Sequence, residues 1–257
     1  MKLYTLGTGS CAVSTSRYNS SSIVETDNGL YIFDAGSPCD SLIVRAGLSL
    51  RDVRAVFVTH MHLDHIGGLP ALLRALSNCD MTLKYAPIPV FLPESGAVPG
   101  LKSWLGCTRS HINYGQFRLQ PISRTDSILY RAGHIKISCI ATDHISSPLP
   151  VTYAYAMYHP DGNLLITGDL SSDLHDMPRC LFEESFHTCL CEATHFDPVS
   201  AKEVFQKLRC RHLIFHHVHT PWQSADGASR FLSLLGPLPY AVQIAYDGAK
   251  YNISQTK

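Results

Sequence analysis

An excess of charge of either sign is the first thing this chain lacks. Its 21 Lys and Arg balance 21 Asp and Glu, so the formal net charge is zero. A neutral chain has no global field to gather nucleic acid or acidic membranes, although a local patch is still open to it. Long apolar runs are missing too. None approaches the roughly 20 residues that span a bilayer, so no membrane partner is expected. The nine cysteines form no CxxC pair and are odd in number, which argues for reduced, buried thiols and against a disulfide framework. Cys189 and Cys191, two apart, are read as pointing to opposite faces of a strand. No secretory h-region precedes the strand-like Lys2–Gly7, and a cytoplasmic location is the expectation.

What is present fits a globular enzyme-sized chain. At 257 residues it can bury a sizeable core, and 45% of its residues are hydrophobic. Histidine stands out, with 14 residues, and histidine is both a common metal ligand and a proton shuttle near neutral pH. Strands are expected at 2–7, 22–26, 30–34 and 55–59, with Asp27-Asn28-Gly29 as a hairpin turn. Short helices are expected at 41–46 and 69–76. The second half repeats this grammar, with strands at 135–141, 152–158, 164–167, 187–192, 212–215 and 240–246. Helices follow Asp197-Pro198, with Pro in the first turn, and Ser224. Prolines and glycines break up the stretch from Tyr85 to about Gln120, so residues 85–125 read as an insertion or lid. The whole chain, 1–257, reads as one domain of two similar strand-rich halves with helices outside.

The densest chemistry is His60-Met61-His62-Leu63-Asp64-His65, directly after the apolar strand Arg54–Thr59. In extended chain His60 and His62 point the same way. Imidazoles suit zinc and similar borderline ions, and Asp64 adds a harder oxygen. Four potential ligands here, with more downstream, are too many for one ion with an open position, which favours two ions side by side.

These residues carry a resemblance. With Gly7-Thr8-Gly9-Ser10, Ile32-Phe33-Asp34-Ala35-Gly36, Thr59 to Gly68, His144, Thr167-Gly168-Asp169 and the late cluster His216-His217-Val218-His219, the chain resembles the metallo-β-lactamase fold superfamily of metallohydrolases. The resemblance implies an α/β (α+β) fold: a four-layer αββα sandwich of two mixed sheets flanked by helices. It implies that His60 and His62 with His144 hold one ion, and that Asp64 and His65 with a last histidine hold the other. Asp169 would bridge them. The last ligand is His217 or His219, with His217 preferred for its place after Leu213-Ile214-Phe215. Asp34 is expected to anchor the ligand loop by hydrogen bonds. The cofactors implied are two divalent metal ions, zinc first, with manganese or iron as alternatives. Lone histidines such as His111, His134, His159 and His187 get no functional role.

Two ions sharing a water would lower its pKa from about 15.7 toward about 7, making a bridging hydroxide available for hydrolysis. The bond is suggested by Cys191-Glu192-Ala193-Thr194-His195, which resembles the His-Glu-Ala-Thr signature of the ribonuclease Z-like phosphodiesterase branch. Cys191 departs from that signature, and its separate His-Ser-Thr motif is missing. The expected catalytic residues are Asp64, as ligand, and His195, as proton donor to the leaving alkoxide, oriented by Glu192. No long basic, glycine-rich arm for gripping tRNA is visible. A small or cyclic phosphodiester is therefore favoured over nucleic acid, with Trp104, Arg109 and His111 as candidates for the substrate mouth. The alternatives are a lactone or thioester hydrolase, a tRNA 3′-processing-type nuclease, and a non-enzymatic metal-binding protein of cofactor biosynthesis. A homodimer is the oligomeric state left open.

Overall fold

The computed structural model describes residues 1–79, 87–109, 111–123 and 125–254. In the first half, strands β1 (Lys2–Gly7), β2 (Ser21–Thr26) and β3 (Gly29–Phe33) lead to helix α1 (Cys39–Arg45) and strand β4 (Val53–Phe57). Helices α2 (Leu63–Ile66) and α3 (Leu69–Asn78), strand β5 (Ile88–Leu92), helix α4 (Ala97–Cys107) and strand β6 (Phe117–Pro121) follow. The second half holds β7 (Ser127–Ala132), β8 (Ile135–Thr142), β9 (Thr152–Tyr158), β10 (Leu164–Ile166), helix α5 (Cys180–Glu183) and β11 (Phe186–Ala193). It closes with α6 (Pro198–Phe205), β12 (Cys210–Val218), α7 (Ala225–Leu235), β13 (Ala241–Ile244) and β14 (Ala249–Asn252).

Two seven-stranded mixed sheets result, ordered β14-β1-β2-β3-β4-β5-β6 and β13-β12-β11-β10-β9-β8-β7. Alternation along the strands divides the apolar residues between two faces. Tyr31, Phe33, Phe57 and Phe91 of the first sheet meet Ile137, Tyr155, Ile166 and Ile214 of the second. On the outer faces α1 and α3 cover the first sheet, and α6 and α7 cover the second. Leu69, Leu72, Leu73 and Leu76 recur at helical spacing and are the buried face of α3. Asp197 caps α6 through the Ser200 N–H, with Pro198 in the first turn where no donor is required. The αββα layering is therefore present. Among the described residues no helix is long and apolar enough to cross a membrane.

The segment 85–125 departs from its reading as an insertion or lid. Its ends are β5 and β6, integral strands beyond β4 in the first sheet, with α4 between them. Pro89 obscured β5, yet it sits near the strand's start, and pairing with β4 begins one residue later at Val90. Residues 85, 86, 110 and 124 lie outside the described residues. Cys189 and Cys191 also correct their reading: they share one face of β11, as residues two apart in a strand must, and are buried in the outer core. Strands β7 and β14 were not expected, and β14 returns to pair with β1.

Two hydrogen bonds tie the sheets together beneath the histidine loop. The Tyr155 hydroxyl donates to the Val58 carbonyl (2.6 Å), and the Tyr153 N–H donates to the Thr59 carbonyl (3.0 Å). Tyr155 is fully buried, so Tyr155→Phe strands an acceptor away from water. The expected cost is about 1–3 kcal/mol. Urea unfolding should read it as a lower midpoint with an unchanged slope.

Candidate metal centre

Strand β4 ends at Phe57, and the chain then carries Val58, Thr59 and His60 out of the sheet. His60 is fully buried, while His62 is exposed at the start of α2. The single turn of α2 aims Asp64 and His65 inward and leaves Leu63 exposed. Asp34 holds this loop from the end of β3. Its Oδ1 accepts from the Thr59 N–H (2.7 Å), and its Oδ2 accepts from Thr59 Oγ1 (2.9 Å) and His65 Nδ1 (2.7 Å). The anchoring role expected for Asp34 is thus what the geometry shows. With its Nδ1 hydrogen on Asp34, His65 turns Nε2 to the centre.

The other side comes from the second sheet. Asp169 follows Gly168, whose φ of +61° suits glycine, and a Cβ there would lie 2.8 Å from Thr59 Cβ. His144 Nδ1 donates to the Leu170 carbonyl (3.3 Å), leaving Nε2 toward Asp169. His217 sits where the pairing of β11 and β12 slips by one residue: Glu192 faces His216, and Ala193 faces Val218. This bulge, with His217 at φ +49°, turns its ring into the centre. Ser20 Oγ donates to the Gly9 carbonyl, so it accepts from His217 Nδ1 (2.6 Å) and again frees Nε2. Ser20 had no signal in the sequence, because its contact with His217 closes over most of the chain.

Asp169 is the hub. Its Oδ2 lies 3.5 Å from His60 Nε2, 3.8 Å from His144 Nε2 and 3.4 Å from His217 Nε2, while its Oδ1 lies 3.3 Å from His65 Nε2. His217 Nε2 is also 3.8 Å from Asp64 Oδ2. Most of these gaps are too long for hydrogen bonds, and they approximate the spacing of two ligands on one ion with bonds of about 2.0–2.2 Å. Buried Asp169 Oδ1 and His65 Nε2 have no hydrogen-bond partner among the described residues. The donors fall into His60, His62, His144 and Asp169 on one side, and Asp64, His65 and His217 on the other. A pair of divalent ions fits this set. His219 is exposed and outside both groups, and the structure brings His217 to the centre instead.

Electrostatics follow from burial. Desolvation pushes the His60, His144 and His217 imidazoles below their ordinary range, which keeps them in the neutral ligand form. Burial also opposes charge on His65, but Asp169 and Asp34 outweigh it and raise its pKa well above the usual value. Asp169 is likewise held ionised, burial being outweighed by His217 and His65. His216 is buried behind the centre, pushed down to about 3 by burial, with no hydrogen-bond partner among the described residues on either ring nitrogen.

Beside the hub, Glu192 is fully buried at the end of β11. Its Oε1 accepts from the Leu170 N–H (2.9 Å), and its Oε2 accepts from the Thr194 and His195 N–H groups (2.8 and 2.9 Å). His195 Nδ1 lies 3.0 Å from both carboxylate oxygens and 3.7 Å from Asp169 Oδ2. Burial disfavours charge on His195, but the hydrogen bond and charge of Glu192 override it and raise its pKa. A cavity of about 580 Å³ opens over His62 and Asp64, walled by Asn19, Ser37, Leu63 and Trp104, with no Lys or Arg among the described residues of its lining. Arg109 and His111 are exposed and lie outside that lining.

A family model described as "Anti-Pycsar protein Apyc1" matches residues 1–235. A ribonuclease Z of Exiguobacterium sp. (strain ATCC BAA-1283 / AT1b) is 37% identical over 118 residues, covering 44% of this chain and 36% of the relative. The chain thus spans about a third of the length of that curated relative. In fold it is similar to the short form of human tRNase Z (TM-score 0.77, 18% identity, 99% of this chain and 100% of that one). It is similar also to a diphosphatase from the PhnP family (TM-score 0.71, 20% identity, 99% of each chain).

Proposed function

The chain belongs to the Anti-Pycsar protein Apyc1 family, within the ribonuclease Z-like branch of the metallo-β-lactamase fold, and on that premise we propose that it is a binuclear metal-dependent phosphodiesterase acting on a small or cyclic phosphodiester. The observation that carries this reading is the His195–Glu192 pair set 3.7 Å from the hub carboxylate Asp169. A leaving alkoxide needs a proton, and a histidine whose cationic form is stabilised by a buried carboxylate is a suitable donor. Hydrolysis of an activated lactone or thioester needs such a donor less.

His60, His62 and His144 would hold one ion, Asp64, His65 and His217 the other, and Asp169 would serve both. Such ions activate water at neutral pH and stabilise the negative charge that develops on phosphoryl oxygens. The protein's own part is orientation. Asp34, Ser20 and the Leu170 carbonyl hold the Nδ1 atoms of His65, His217 and His144, so each ring turns Nε2 inward. Glu192 takes the Nδ1 hydrogen of His195 and leaves Nε2 to deliver a proton. A cavity of about 580 Å³ lies within the range that encloses small ligands, and its described lining, without Lys or Arg, does not suit a long polyanion. The likeness to a ribonuclease Z keeps tRNA 3′-processing as the second reading.

Zinc- or manganese-loaded protein should cleave bis-p-nitrophenyl phosphate and cyclic nucleotides, with little turnover of lactones, thioesters or precursor tRNA. Faster cleavage of precursor tRNA would transfer the reading to the nuclease. Turnover confined to lactones or thioesters would end it.

A further inference from the structure

A second group of ligating side chains lies far from the centre. Asp27 sits in the turn between β2 and β3, His134 in the turn between β7 and β8, and His159 directly after β9. The residues of the catalytic centre follow the opposite ends of the strands: Asp34 leaves the far end of β3, and His144 follows the far end of β8. The three residues therefore occupy the other end of the sandwich, and they join a turn of the first sheet to two turns of the second. Their ligating atoms converge. His134 Nε2 and His159 Nε2 are 3.1 Å apart, and Asp27 Oδ1 is 3.6 Å from the first and 4.0 Å from the second.

We propose that Asp27, His134 and His159 form a distal binding site for a divalent borderline ion such as zinc, which fastens the two sheets at the end away from the catalytic centre. The point equidistant from the three atoms lies about 2.1 Å from each, within the range of bonds from zinc to imidazole nitrogen and carboxylate oxygen. Two imidazoles and one carboxylate, with solvent on the open side, are a donor set that zinc accepts. His159 is buried and its Nδ1 accepts a hydrogen bond, which is the geometry of a neutral ring.

One hydrogen must move. The Asp161 N–H donates to His159 Nδ1 (3.0 Å), so the hydrogen of the neutral ring is on Nε2, directed at His134. Binding an ion at Nε2 shifts that hydrogen to Nδ1, which gives up its bond from the Asp161 N–H and takes Asp161 Oδ2, now 3.7 Å away and paired with the Met1 amine, as its acceptor. A carboxylate behind a ligating histidine is the usual support for zinc.

The test is zinc stoichiometry of the metal-stripped full chain, by calorimetric titration and by elemental analysis after desalting. Asp27 and His134 are exposed turn residues, with side chains 71% and 47% accessible, so Asp27→Asn and His134→Asn leave the core intact. Wild type should bind one equivalent more than His134→Asn, whatever number the catalytic centre takes, and phosphodiesterase activity should not differ between them. Asp27→Asn should weaken that equivalent by about tenfold or more. Equal stoichiometry in wild type and His134→Asn would overturn the site and leave the histidine pair as a hydrogen bond only.

Discussion

Replacing His195 with alanine should lower kcat by about 10²–10⁴-fold while the metal content of the purified protein stays unchanged. The two readouts separate a proton donor from a ligand. His195 is held through Nδ1 by Glu192, and its side chain remains 29% accessible, so its other nitrogen can reach a substrate. The pH dependence has a definite sign. Glu192 raises the pKa of His195, so the protonated, donating form persists above the ordinary histidine value of about 6.5. The kcat should hold steady below the raised value and fall as pH rises through it. Glu192→Gln removes the charge, so the fall should move to lower pH. An alanine variant that keeps full kcat on bis-p-nitrophenyl phosphate would remove His195 from the mechanism.

Asp169→Asn should cost more. One carboxylate lies within 4 Å of five imidazoles, and the variant keeps its size while removing its charge. Elemental analysis should show fewer ions per chain, and kcat/KM should fall by about 10³-fold or more, the scale of several kcal/mol of charge stabilisation. His65 gives a second readout. Without the Asp169 charge it loses the stronger of two influences that raise its pKa, and an NMR titration should find its midpoint lower than in metal-free wild type. Unchanged metal content would show that Asp169 is not shared between the ions.

Much of this centre was legible because its densest part is contiguous. His60 to His65 lie within six residues, and a strand end followed by a single helical turn is enough to converge them. His144 and Asp169 each follow a readable apolar strand and Glu192 lies at the end of one, so their order along the chain carried them. What was hidden depends on contacts across the chain. His217 was preferred over His219 for its place after Leu213-Ile214-Phe215, but the bulge in β12 that turns its ring inward leaves no mark in hydrophobic periodicity. Ser20 meets His217 only when the two sheets close on each other. Pro89 masked β5 because proline usually argues against a sheet interior. His134 and His159 were set aside singly, and only the meeting of three turns makes them a group with Asp27. The Cys189–Cys191 reading failed differently, through a misapplied strand period.

The catalytic centre straddles the seam of the sandwich. His60, His62, Asp64 and His65 come from the first sheet's side, and His144, Asp169 and His217 from the second. Ions held there would be fasteners as well as reagents, since they would bind the closed arrangement and not two separated halves. Their affinity would therefore also be a force that holds the molecule shut. Chelation should loosen the protein as well as silence it, with amide exchange quickening first along the loops at 59–66 and 167–170 while the outer helices keep their protection.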